Sequence, residues 1–116
     1  TFQDTRDAIR AYYLLALKAD AGDIISGDVF NIAGEEAFKL TEVVQIMLSM
    51  STCKDIKVVT SQDRLRPIDA DYQMFDSSKI KSVIDWVPEI SVKEMFNDLL
   101  NHWRHQISIG NIPLNR

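Results

Sequence analysis

The sequence is short of the residues that most small-domain chemistry needs. It has one cysteine, Cys53, so no internal disulfide framework can form, and a reducing, cytoplasmic setting is expected. Its two histidines, His102 and His105, lack any Cys, His or carboxylate pattern that would complete a ligand set, so no metal is expected. The four glycines, Gly22, Gly27, Gly34 and Gly110, are scattered. That spacing excludes both a dinucleotide-binding turn and a P-loop. There is no Gly-x-Ser-x-Gly elbow and no Cys-His pair in a suitable context, which removes the common hydrolase plans. No apolar run approaches the roughly 18–20 residues of a membrane span, and no signal peptide is visible. Basic charge is also in deficit, with 13 Lys and Arg against 17 Asp and Glu and a net charge of -4. A general nucleic-acid binder needs the opposite sign.

What remains has the balance of an ordinary globular protein, 46% hydrophobic and 26% charged over 116 residues. One domain-sized unit is expected over 1–107, with a polar tail over 108–116. The chain starts at Thr1 without Met, close to a helix cap, and is expected to be a fragment or a processed piece.

Residues 5–19 read as a helix capped by Asp4 or Thr5, with Asp7 in the first turn where negative charge is favoured. Ile9, Tyr13, Ala16 and Leu17 recur at helical spacing, with Ala8, Tyr12 and Leu15 beside them. The arc is wide and predicts neighbours on more than one side. Asp28–Ala33 reads as a short strand with apolar residues on both faces, as in a covered α/β sheet. Thr41 is expected to cap a second helix with Val43, Ile46, Met47 and Met50 as its stripe; core packing is the simpler account of those methionines than a soft binding surface. Ile56–Thr60 reads as a second strand, and Tyr72–Phe75 as a brief extended piece. Asp76 caps a short helix carrying Ile80, Val83 and Ile84. Ser91-Val92-Lys93-Glu94 is a capping box, with Ile90 and Met95 as its hydrophobic staple. It opens a last helix on which Met95, Leu99 and Trp103 repeat, ending near Ile107. The expectation is an α/β piece of four helices and two or three short strands. Two short strands cannot close a core alone, so a partner sheet outside this sequence is expected.

The stretch with most chemical content is Arg64-Leu65-Arg66-Pro67-Ile68-Asp69-Ala70-Asp71. Pro67 fixes its own φ and pushes Arg66 toward extended backbone, so this is a stiff loop. A guanidinium held in one place suits a phosphate or carboxylate, gripped by two hydrogen bonds. The plainer alternative is a solvated loop with surface ion pairs of little worth. The acidic pairs Glu35-Glu36 and Asp69/Asp71 have the groups for acid–base work, but no visible feature splits their pKa values.

Several motifs, in order, resemble a known family. Phe2-Gln3-Asp4-Thr5-Arg6-Asp7 is similar to an "F-x-D-V-R-D" helix entry, continuing as Arg10-Ala11-Tyr12. Val29-Phe30-Asn31-Ile32-Ala33-Gly34 is similar to "x-Y-N-[VI]-[GA]-[SG]". Arg64–Asp69 resembles "R-x-R-P-x-[DE]-V", with Ala70 where the family has Val. Asp76-Ser77-Ser78-Lys79 resembles "D-x-S-K". Trp86-Val87-Pro88-Glu89-Ile90 resembles "G-W-x-P-x-[IV]", with Asp85 in place of Gly. From about residue 2 to 106 the chain resembles the C-terminal, substrate-binding part of the extended short-chain dehydrogenase/reductases that act on nucleotide sugars, in the branch of the GDP-mannose 4,6-dehydratases and GDP-4-keto-6-deoxy-mannose reductases.

The resemblance implies a substrate-binding subdomain whose Rossmann domain is absent. That missing domain would carry the glycine-rich loop, the Tyr-x-x-x-Lys pair and the NAD or NADP, leaving no cofactor and no catalytic residue on this chain. It implies that Arg66 clamps the diphosphate of a nucleotide sugar, that Asp69 hydrogen-bonds the nucleoside end, and that Arg64 adds to the phosphate field. It further implies either self-association or packing against the missing domain, with no nucleic-acid or membrane partner. The competing reading is a non-catalytic binding or interaction module that retains the scaffold.

Overall fold

The computed structural model describes residues 1–64 and 73–111, with Arg64 described by its backbone alone. The described residues form four α-helices: α1 (Thr5–Asp20), α2 (Leu40–Ser49), α3 (Ser78–Val83) and α4 (Val92–Ser108), with a 3-10 turn at Gln62–Arg64. The helix starts follow from local chemistry. Asp4 holds extended backbone and its carboxylate accepts from the Arg6 amide at 2.8 Å, which caps α1. Glu42 reaches back from the first turn of α2 to accept from the Lys39 amide at 2.7 Å. The helix therefore begins two residues earlier than a Thr41 cap implies, with Lys39 at the cap position. Asp76 accepts from the Ser78 amide at 2.8 Å, just ahead of α3. Ser91 caps α4 by accepting from Glu94 at 3.2 Å.

The expected α/β architecture is overturned: no strand exists among the described residues. Asp28–Ala33 and Ile56–Thr60 are non-helical runs, yet neither forms a backbone hydrogen-bond ladder with the other or with any described segment. A strand exists only as a member of such a ladder. Two isolated apolar runs, separated by α2, do not supply one. Gln73–Ser77 is likewise irregular; Tyr72, where the expected third strand starts, lies outside the described residues.

The core is small. Ala11, Ile80, Ile84 and Trp86 form its buried centre, with Leu14, Leu15, Phe30, Ile32 and Val83 packed around them. It joins α1, the run after Asp28 and α3. Elsewhere α2 packs on α4, and Phe2 meets Phe96 edge-on at 5.7 Å. Two stripes read from the sequence face outward. Ile9, Tyr13 and Leu17 of α1 are exposed, Tyr13 at 63%. The opposite side, through Asp7 and Ala11, is the buried one. In α4 the buried residue is Phe96, while Leu99 and Trp103 stand half in solvent. Gly34 is needed for a close approach: a Cβ there would lie 2.1 Å from the Phe2 carbonyl oxygen. Among the described residues, no helix is long and apolar enough to cross a membrane.

Candidate functional site

Two motifs at opposite ends of the chain meet at Asp7. Helical spacing turns Asp7 inward beside Ala11, and its side chain is 2% exposed. Burial alone would push this carboxyl up in pKa, but three groups outweigh it. The amides of Ile90 (3.0 Å) and Glu89 (3.1 Å to each oxygen) donate to the carboxylate, and Arg10 pairs with it at 3.0 Å. Together they hold Asp7 below its ordinary value. The backbone carbonyl of Asp7 accepts from the Trp86 indole at 3.1 Å, which satisfies the polar end of an otherwise buried ring. Arg10 also donates to the Val87 carbonyl and pairs with Glu89 at 3.1 Å. Pro88 supplies no amide of its own, so the donors fall to Glu89 and Ile90, just before the Ser91 cap. This network fixes the entry of α4 against the first turn of α1.

One turn earlier, Arg6 grips both oxygens of Asp4 at 2.9 Å and reaches Asp98 on α4 at 2.7 Å. The hydrogen bonds from Arg6 hold Asp4 below its ordinary value, and those same carboxylates raise Arg6. α1 and α4 are thus tied at two points, one dry and one wet.

A second pair of motifs meets beside α3. Lys79 pairs with Asp28 at 2.8 Å, with the same ammonium 4.6 Å from the centre of the Phe30 ring. The Asn31 side-chain amide donates to the Asp76 carbonyl at 3.3 Å. Lys79 holds Asp28 below its ordinary value, and the Ser78 amide does the same for Asp76. Lys81 pairs with Glu35. An open cleft of about 540 Å³ lies alongside, lined by Gly34, Glu35, Met74, Phe75, Asp76 and Lys81 among others. That is within the range of small-molecule sites.

The residues proposed from sequence to hold an anion are placed only in part. Arg66 and Asp69 lie outside the described residues. The backbone of Arg64 closes the 3-10 turn, and its side chain is not described. In sequence, the Asp76–Lys79 part of the second cluster follows the 64–71 stretch. Asp7, Arg10 and Trp86 were not legible as one group, since their contacts span about 80 positions; the first-turn acid and the lone tryptophan before Pro88 were the only local signals. No group of three or more His, Cys, Asp or Glu gathers as a metal would need, among the described residues. No protein-family model matches the chain.

Proposed function

We propose that the chain is the substrate-binding part of a nucleotide-sugar dehydratase or reductase of the GDP-mannose type, working in the cytoplasm. In this reading Arg66 grips the diphosphate, Arg64 strengthens the field around it and Asp69 bonds the nucleoside end. A guanidinium fork beside a proline is suited to that task because its geometry matches phosphate and its backbone is stiff. The chemistry belongs to another domain, with NAD or NADP as hydride carrier. No Tyr-x-x-x-Lys pair occurs here: the residues four after Tyr12, Tyr13 and Tyr72 are Ala16, Leu17 and Asp76.

The observation that supports this reading most is the pairing of the resemblance motifs. The Asp7 motif meets the Trp86–Ile90 motif, and the Phe30-Asn31 motif meets the Asp76–Lys79 motif. Four sequence signatures thus act as two structural joints, and one half of the second joint follows the Arg64–Asp71 stretch in sequence. Exposed Ile9, Tyr12, Tyr13 and Leu17 on α1, with Val29 at 76% exposure, offer an apolar face to a second copy or to the cofactor domain. Light scattering of the isolated chain checks this: self-association is expected, and a clean, well-folded monomer counts against it.

Calorimetry of the full-length protein with GDP-mannose and with UDP-glucose tests the function. Preference for GDP-mannose is expected, and binding of neither sugar nucleotide rejects the reading. The alternative, a non-catalytic module on the same scaffold, predicts no glycine-rich loop and no Tyr-x-x-x-Lys encoded in frame upstream.

A further inference from the structure

We propose that the open cleft between α1 and the run from Asp28 to Ile32 binds a flat, amino-substituted heterocycle of the guanine type, stacked on aromatic rings with its donor edge turned to the Asp28 carboxylate. The cleft holds about 550 Å³ and is lined by Tyr12, Leu15, Asp28, Phe30, Asn31 and Phe75 among others. That is the size of a small-molecule site. Its rings come from three separate segments: Tyr12 from α1, Phe30 from the run after Asp28, and Phe75 from the stretch before α3. Phe30 already carries the Lys79 ammonium 4.6 Å from its centre. Tyr12 and Phe75 are 66% and 56% exposed, so much of their ring surface lies in water and suits a stacked base. The polar edge of the cleft accepts. Asn31 uses its amide nitrogen on the Asp76 carbonyl at 3.3 Å, which leaves the side-chain oxygen to accept. Asp28 is paired with Lys79 at 2.8 Å and takes a further bond from the Ile25 amide. A carboxylate has about four lone-pair sites, so acceptor capacity is left, and at 31% exposure the side chain can be reached by an incoming ring. A matching ligand presents adjacent N–H donors on the rim of a flat ring. Guanine does so: its N1–H and its N2 amine lie side by side, a fork that a carboxylate takes with two hydrogen bonds. Adenine has an acceptor at N1 and does not fit.

Calorimetric titration of guanosine, inosine and adenosine into the full-length protein tests this, with melting temperatures recorded for each variant. Nucleosides carry no phosphate, so their binding does not draw on the role given to Arg66. Guanosine should bind tightest, ahead of inosine, which lacks the amine, and of adenosine, which lacks the N1 proton. Asp28→Asn should weaken guanosine binding by about tenfold to a hundredfold, as for lost charge-assisted hydrogen bonds, and bring it level with adenosine. Tyr12→Ala, at an exposed position, should weaken all three nucleosides alike, by about fivefold or more. Lys79→Met separates recognition from structure. It breaks the same ion pair as Asp28→Asn but keeps the carboxylate, so guanosine should bind at least as tightly as to the parent. A guanosine preference that is lost in Asp28→Asn and kept in Lys79→Met supports the site. Equal binding of the three nucleosides, a preference that survives Asp28→Asn, equal losses in Asp28→Asn and Lys79→Met, or unchanged binding by Tyr12→Ala overturns it. No nucleoside binding beside intact binding of GDP-mannose overturns the site and leaves the function proposed above standing, whereas binding of neither rejects both.

Discussion

Replacing Asp7 should cost more stability than any other single polar substitution at the α1–α4 joint. Its carboxylate accepts from two backbone amides and an arginine while almost wholly removed from water. Asp7→Ala leaves the Glu89 and Ile90 amides without their acceptor. Arg10 is partly compensated, because it keeps the Val87 carbonyl and Glu89. Hydrogen bonds to a charged group contribute about 1.5–3 kcal/mol each, and breaking a buried pair from one side costs about 3–5 kcal/mol. These figures overlap rather than add, since the same carboxylate makes every contact. A loss of about 3–5 kcal/mol is expected, a large share of the roughly 5–15 kcal/mol that holds a domain together. Asp7→Asn keeps the shape and one acceptor but turns an amide donor toward other donors, and should lose about 2–3 kcal/mol. The assay is urea unfolding at neutral pH followed by Trp86 fluorescence in a Trp103→Phe background. Trp86 reports directly, being 1% exposed and bonded to the Asp7 carbonyl. A loss under about 1 kcal/mol for Asp7→Ala would refute the claim that this carboxylate joins the two helices.

The pH dependence follows from the same group. Because Asp7 is held below its ordinary carboxylate value of 3.8, its contribution is complete above that value and is lost as pH falls through the lower, folded-state value. Acid unfolding of the parent should therefore be steeper below about pH 4 than that of Asp7→Asn, and superimposable curves would contradict this. Gly34→Ala should destabilise by about 1–3 kcal/mol, read by thermal melting, because its methyl group meets the Phe2 carbonyl and the backbone must move. Ser91→Ala removes the cap of α4 and should cost about 1 kcal/mol in the same assay, with the loss cancelled by a Ser91→Asp cap.

The Asp4 and Ser91 caps were legible because capping is local, each sitting next to the amide it binds; the caps read at Thr41 and Asp76 fall instead on Lys39 and Ser77, although Asp76 still binds the Ser78 amide from one position further out. The choice of buried face was not legible. The α1 arc is apolar nearly all round, and Ile9, Tyr13 and Leu17 looked more like core than Asp7 and Ala11. Ala11 is buried because its small side chain lies in the cluster with Ile80, Ile84 and Trp86, which periodicity does not encode. The strands failed for a related reason. Val29–Ala33 and Ile56–Thr60 have strand composition, but composition cannot supply the neighbouring run that makes a ladder. Asp7 was read as favouring the helix N-terminus, and its larger role depends on Glu89 and Ile90, more than eighty positions away. The Arg66 and Asp69 assignment rests on sequence pattern, and Asp76 and Lys79, which the sequence placed in one short motif, prove to be contacts of Asn31 and Asp28.

Arg66, in the Arg64–Asp71 stretch, is proposed to grip a nucleoside diphosphate. Calorimetry of GDP-mannose binding to full-length Arg66→Ala against the parent tests it directly. A loss of about 1.5–3 kcal/mol is expected, roughly tenfold to a hundredfold or more in affinity, as for a severed charge-assisted hydrogen bond. Equal affinity in the two proteins would contradict it.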